Sequence, residues 1–329
     1  MRDPQTGADA RMLVRAEIME NNGIPFSKAS ACGNDFLILE GKFAPTRIEE
    51  FTRLICDRHD GVGADGVEWV YFPADASPAP AAGEKEKDFE LRIRLINADG
   101  SHAELSGNGT RSVAAWYVAQ SLATSGTELG GPGTRRGWGG AARKAGKAGK
   151  IDVVRIATDD GVKTCELMAQ NGREFTFRTA MGCPRVGEAI SIPVQGRTVS
   201  GVPVAMGNPQ LLIFVDEFPR DWQQIAAEVQ SHTEHFPEGV NVEFVQLRSA
   251  SEIAIRIFER GVGETSSSGT GSSASAAAAI AVKGLESRLE VHAPGGSQIV
   301  EWNGPQSKGD RELYLTGPAR LVCCGEFFV

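Results

Sequence analysis

Residues 92–111, RIRLINADGSHAELSGNGTR, and residues 254–273, AIRIFERGVGETSSSGTGSS, are two versions of one pattern. Asn97 and Glu259, and likewise Ser106 and Ser268, stand the same 162 positions apart. Each version is an alternating apolar/polar strand that ends on Asn97 or Glu259. A glycine-containing turn follows, and then Ser-Gly-x-Gly opens an alanine-rich helical stretch. Looser echoes pair CGNDF (32–36) with MGNPQ (206–210), and HDGVGAD (59–65) with HFPEGVN (235–241). A chain made of two similar halves has a pseudo-twofold axis and can offer equivalent groups to opposite faces of one ligand. The duplication therefore predicts an α/β (α+β) chain of two pseudo-symmetric domains, each with many strands wrapped about one buried helix.

Working outward, 329 residues correspond to two domains at about 150 residues each. A hydrophobic share of 41% with 23% charged residues is that of a soluble globular chain, and a net charge of −8 argues against a nucleic-acid surface. No apolar run approaches the length of about 18 residues that a membrane span needs, and residues 1–23 lack the apolar stretch of a secretory signal. The expected location is the cytoplasm, with Cys32, Cys56, Cys165, Cys183, Cys323 and Cys324 as reduced thiols without zinc-ligand spacing. Residues 1–23 read as an N-terminal extension, 24–150 as the first domain and 151–311 as the second. The Pro/Ala-rich run 73–87 reads as a surface loop, and the glycine-rich basic run 125–150 as a flexible loop or linker.

Alternation predicts strands over 89–96, 151–157, 175–179, 211–215, 242–247 and 253–258. Helices are predicted over 110–122 and 271–282, the second capped by Gly284, and both are apolar or small nearly all round, hence buried. The first amides of a helix lack internal partners and carry partial positive charge, and glycines let the backbone approach a ligand closely. Ser106-Gly107-Asn108-Gly109 and Ser268-Gly269-Thr270-Gly271 thus read as anion sites. A serine there also serves simply as an N-cap. It is the duplication, each copy nine residues beyond a strand-terminal Asn97 or Glu259, that favours a site.

These residues resemble the diaminopimelate epimerase family. ACGNDFLI (31–38), CDRHDGVGADGV (56–67), INADGSHAELSGNGTR (96–111), MGNP (206–209), GVNVEF (239–244) and ERGVGETSSSGTG (259–271) occur in that family's order, over nearly the whole chain from Ile24. The resemblance implies an isomerase that interconverts LL- and meso-diaminopimelate, in lysine and peptidoglycan-precursor synthesis. It implies no cofactor and no metal. A ligand would close into a cleft between two domains, with Ser106 and Ser268 facing each other, and the tail (about 312–329) would return to the first domain. By motif position Asn34, Asn97, Asn208 and Asn241 would bind substrate. Glu259 and Arg260 would contact its ammonium and carboxylate regions, and the amides at Gly107-Asn108 and Gly269-Thr270 would hold the α-carboxylate. Partners would be the small-molecule amino-acid substrate and, in a homodimer, a second copy, with neither nucleic acid nor membrane.

The chemistry agrees. Inverting a carbon centre needs one group to take the Cα proton and another to return one from the opposite face. Donors aimed at the carboxylate stabilise the carbanion between. The chain departs from the family at the acid/base positions, where cysteine is replaced by Ser106 and Ser268, and at Gln210, where the family usually has a histidine. A hydroxyl is a far weaker acid than a thiol and needs a neighbouring base, for which Glu104, Glu264 and Glu259 are candidates. Cys32 and Cys183 occupy neither acid/base position and read as structural. Two other readings stand beside the epimerase: an isomerase of the same fold acting on a more acidic substrate, and a protein that binds an amino acid without turning it over.

Overall fold

The computed structural model describes residues 23–73, 88–103, 106–124, 151–306 and 311–328. Glu104 and the runs 74–87 and 125–150 lie outside them. The chain divides into two compact units, Met1–Phe177 with Pro318–Val329, and Arg178–Gly317. The second unit thus begins after Phe177, whereas the sequence pattern suggested 151. The strand Val153–Thr158 runs parallel to Leu91–Asn97, and Gly161–Asn171 pairs with Val153–Thr158, so the segment after the glycine-rich run completes the first sheet.

In the first unit, β1 (Ile24–Ala31) and β2 (Asn34–Glu40) form a hairpin closed by Ala31 opposite Asn34. Its two turn residues, Cys32 and Gly33, have φ of 49° and 86°. Two consecutive left-handed residues make the tight turn that matches strand twist, and they set Asn34 at the strand's first position. After α1 (Ile48–Ile55), β3 (Gly66–Tyr71) runs parallel to β2 and antiparallel to β4 (Leu91–Asn97). The short β5 (His102–Ala103) leads to α2 (Gly107–Thr124). Strands β6 (Val153–Thr158), β7 (Gly161–Asn171) and β8 (Glu174–Gly182) follow. The last strand of the chain, spanning Leu313–Phe327, pairs with both β1 and β8, so strands close around α2.

In the second unit β9 (Arg185–Val186) and β10 (Ile190–Val194) flank β11 (Arg197–Met206), which pairs antiparallel with β12 (Asn208–Phe214). After α3 (Trp222–Ser231), β13 (Asn241–Leu247) runs parallel to β12 and antiparallel to β14 (Glu252–Glu259). Strand β15 (Gly263–Thr265) precedes α4 (Gly269–Lys283), then β16 (Arg288–Ala293) and β17 (Gly296–Glu301) complete the sheet up to β18 (Leu313–Phe327). Order, direction and helix placement repeat those of the first unit, so the duplicated sequence is a duplicated fold.

Strand alternation explains the layering, since successive side chains point to opposite faces. Leu37, Leu39, Val67 and Trp69 pack in one cluster with Phe51, Leu54 and Ile55 of α1, while Ile38 and Val70 pack with Val113, Trp116 and Ala119 of α2. Correspondingly, Leu211, Ile213, Val242 and Phe244 pack with α3, and Leu212 and Val245 with α4. The long helices are buried on most sides, as their all-round apolar or small residues require, and Gly284 ends α4 in the left-handed conformation with φ 71°. No helix among the described residues is long and apolar enough to cross a membrane.

Candidate active site

Each unit brings most of its predicted residues to the N-terminus of its buried helix. In the first unit the Ser106 hydroxyl accepts from the Gly109 amide at 3.0 Å, and its carbonyl accepts from Thr110 N and Oγ1, both at 2.8 Å. Ser106 is therefore an N-cap, its O–H proton not used by that bond. Buried Asn108 donates from Nδ2 to Asn34 Oδ1 at 2.7 Å and accepts from Arg111 Nη2. Asn34 donates in turn to Asp65 Oδ2 at 3.1 Å. Asp65 and Asp35 are bound by Arg58 at 2.8 and 2.7 Å, and Lys28 lies 2.7 Å from Asp35. Burial opposes ionisation of Asp35, but Arg58 and Lys28 outweigh it and hold its carboxyl below the usual range. This net fixes Asn34 and the start of α2 relative to each other. Asn97 stands apart from it, donating to Ser101 Oγ at 3.0 Å in the following turn.

Arg111 was not singled out by the sequence pattern, yet it is fully buried, and its Nε and Nη1 have no hydrogen-bond partner among the described residues. Burial lowers its pKa, with Cys32 and Cys165 as its electrostatic neighbours. Burial likewise raises the Cys32 thiol, and Arg111 opposes it. Cys32 is thus a buried thiol at the hairpin turn, while Cys183 is exposed.

In the second unit Ser268, in extended conformation, caps α4 by accepting from the Gly271 amide at 3.1 Å, and its Oγ lies 3.3 Å from Thr270 Oγ1. Buried Gln210 lies beneath. In the orientation that gives both ends of its amide a partner, its nitrogen donates to Glu243 Oε1 at 2.7 Å and Oε2 at 3.2 Å. Its oxygen then accepts from Thr270 Oγ1 at 3.3 Å and Asn241 Nδ2 at 3.2 Å. Asn208 Oδ1 is 2.6 Å from the same amide. Asn241 accepts from the Arg260 backbone at 2.8 Å, and the exposed Arg260 side chain donates to the Glu238 carbonyl. Ser268, Gly269, Thr270, Asn208, Gln210 and Asn241 are thereby brought together, with Glu259 at the end of β14.

One expected helper is elsewhere. Glu264 is exposed and accepts from Gln223 Nε2 at 2.8 Å, because β15 turns its side chain to α3 instead of to Ser268. The acids at the helix N-termini are two that motif reading passed over, Glu68 on β3 and Glu243 on β13, both completely buried. Each occupies the strand face that otherwise packs on the buried helix, two positions before Val70 or Val245. A signal for them exists: VEWV (67–70) and VEFV (242–245) are a further internal repeat, with an acid at an inward position of an apolar strand. Burial raises Glu68 to about 8; burial, and then the Glu259 charge, hold Glu243 well above the ordinary carboxylate range.

As to metals, the ligand atoms of Glu252, Glu290 and His292 lie within 4.8 Å of one another near the surface, but His292 Nδ1 is bonded to Ser297 Oγ at 2.8 Å. Nothing ties this group to the helix N-termini.

Comparison with known proteins shows the family and the fold. The family profile described as diaminopimelate epimerase matches residues 26–132 and 202–322. Diaminopimelate epimerase from Pelotomaculum thermopropionicum is 32% identical over 92% of this chain and 98% of its own. The one from Halothermothrix orenii is 31% identical over 93% and 98%. Among solved structures, a hydroxyproline epimerase from Agrobacterium vitis superposes with a TM-score of 0.60 at 14% identity, over 92% of this chain and 90% of that one, which is a likeness of fold.

Proposed function

The chain belongs to the diaminopimelate epimerase family and is an isomerase of the epimerase type, and on that premise we propose that it interconverts LL- and meso-diaminopimelate by cofactor-independent two-base proton transfer at Cα. One observation carries the reading: both units place a serine hydroxyl at the third amide of a buried helix, in the same backbone setting. Ser106 and Ser268 are the two groups that reach the Cα proton, one for each face. The first-turn amides after them, at Gly107-Asn108 and Gly269-Thr270, hold the α-carboxylate and stabilise charge as it develops at Cα. Asn34, Asn97, Asn208, Asn241, Glu259 and Arg260 read the remaining polar groups, and Gln210 stands where the family usually carries a histidine.

Solvent deuterium appearing at Cα of LL- and meso-diaminopimelate, with interconversion of the two, is the expected result for the purified protein in D₂O. Turnover should be slow, because a hydroxyl supplies little ionised base at neutral pH. The triple variant Ser106→Cys, Ser268→Cys, Gln210→His should raise it. Calorimetry on Arg260→Ala should find diaminopimelate affinity reduced about tenfold or more, as expected for loss of a charged hydrogen bond of about 1.5–3 kcal/mol. A second reading, binding without turnover, draws on the fact that both hydroxyls already serve as helix caps. Tight binding with no deuterium incorporation into any isomer would select it.

A further inference from the structure

Two buried carboxylic acids beneath the helix N-termini call for an account. Neither oxygen of Glu68 has a hydrogen-bond partner among the described residues, although the side chain is fully enclosed. Burying a polar group without a partner is costly, and such a group in a native fold calls for an explanation. The position is occupied twice. A side-chain carbon on Gly109 would overlap Glu68 Oε1 and stand 3.2 Å from Ser106 Cβ. One on Gly271 would stand 2.7 Å from Glu243 Oε1 and 3.1 Å from Ser268 Cβ. In each unit, therefore, the space that a side chain at the last glycine of Ser-Gly-x-Gly would fill is bordered by a glutamate carboxyl on one side and the serine side chain on the other. In the second unit a hydrogen-bonded line also runs from Ser268 through Thr270 and Gln210 to Glu243.

We propose that Glu68 and Glu243 are the proton partners of Ser106 and Ser268, acting through the serines in the two-base reaction proposed above, on which this inference rests. When a serine oxygen takes the Cα proton, the C–H bond breaks and its electron pair stays on the carbon. The serine's own O–H proton passes to the glutamate carboxylate behind it. On the opposite face the glutamic acid gives its proton to the serine oxygen as that oxygen delivers its own to Cα. One carboxyl gains a proton and the other loses one; nothing is oxidised or reduced. Rotation of the serine about Cα–Cβ turns the oxygen from the cap towards the carboxyl, which the missing side chain of Gly109 or Gly271 lets come close to the helix. The glutamates thereby answer the weakness of the hydroxyl, which needs a base at its back.

Among the described residues few other charges stand near either carboxyl. Glu68 is flanked by Ile38 on β2 and Leu95 on β4 and faces Gly109 and Ser106 on α2. Arg111, farther along that helix, has Cys32 and Cys165 as its electrostatic neighbours. Glu243 is flanked by Leu212 and Ile257, touched by Gln210, faces Gly271 and Ser268, and feels Glu259.

The test uses the full chain and Glu68→Gln and Glu243→Gln, which keep the shape but cannot carry the proton. In D₂O, each variant should lose deuterium incorporation into one diaminopimelate isomer by about 100-fold or more, the two variants affecting opposite isomers. The rise of that exchange with pH should flatten in the variant. Equal losses on both isomers with an unchanged pH profile would mean a merely structural role and overturn the proposal. A substrate-free measurement separates this from failure of the epimerase reading. Infrared titration should find a buried carboxyl band that Glu68→Gln removes and that vanishes at higher pH in Ser106→Ala, because losing a hydroxyl donor disfavours the carboxylate. A band unmoved by Ser106→Ala overturns the partnership whether or not diaminopimelate is turned over.

Discussion

The N-termini of α2 and α4 have the same backbone, the same serine cap and the same buried glutamate, and they differ in what surrounds that glutamate. In the second unit Gln210 on β12 reaches Glu243 with its amide. The matching position on β2 is Phe36, a buried ring with no hydrogen bond to offer, and Glu68 is left without a donor among the described residues. In exchange the first unit has Asn108 and Arg111 tied to Asn34, where α4 has Thr270 and Ser273, the latter turned back onto the Gly269 carbonyl at 2.8 Å. The lesson is that duplication kept the strand order, the serine cap and the buried glutamate and let the layer around that glutamate diverge. The two glutamates are alike in burial and unlike in their hydrogen bonding.

The largest expected effect lies in the pH dependence of stability. Glu68 titrates near 8 in the fold, against about 4.3 for an unfolded carboxyl. Its folded form is thus the protonated one: the stability it contributes is complete below the unfolded value and is lost as pH rises to about 8. Glu68→Gln lacks that loss, so its stability relative to the parent should grow by a few kcal/mol between about pH 4 and pH 8, at about 1.4 kcal/mol per pKa unit. Urea unfolding at several pH values reads this directly, and parallel curves would refute it. Next in size, Gln210→Leu should make the second unit resemble the first by stripping Glu243 of its donor, at a cost of about 1–3 kcal/mol. Gly109→Ala should cost about 1–3 kcal/mol by overpacking against Glu68. Adding Glu68→Ala should recover most of that. Gly271→Ala should cost less, its new carbon 2.7 Å from Glu243 Oε1 without outright overlap.

The duplication, the two buried helices and the serine caps were legible in the sequence because each rests on local pattern: strand alternation, Ser-Gly-x-Gly and an all-round small or apolar helix. Helices α1 and α3 were missed; their amphipathic faces, Ile48-Phe51-Ile55 and Trp222-Ile225-Val229, are short and lie in runs without strong caps. The compact units divide after Phe177, whereas the sequence alone puts the change of unit at 151, because a glycine-rich run looks like a linker. It is strand pairing across it, of β6 with β4, that assigns the following residues to the first sheet. Nearness in sequence makes Glu264 a candidate helper of Ser268, whereas Glu243 and Glu68 reach the helix N-termini from strands far away in the chain. Such contacts are set by register, which a motif scan does not read.

The central proposal is that Ser106 and Ser268 each serve one face of the same carbon. Deuterium incorporation from D₂O into LL- and meso-diaminopimelate by Ser106→Ala and Ser268→Ala tests it most directly. Each variant should lose inversion, by about 100-fold or more, yet retain exchange without inversion on one isomer, a different isomer for each variant. Inversion at the parent rate in either variant, or the same isomer exchanged by both, would contradict it.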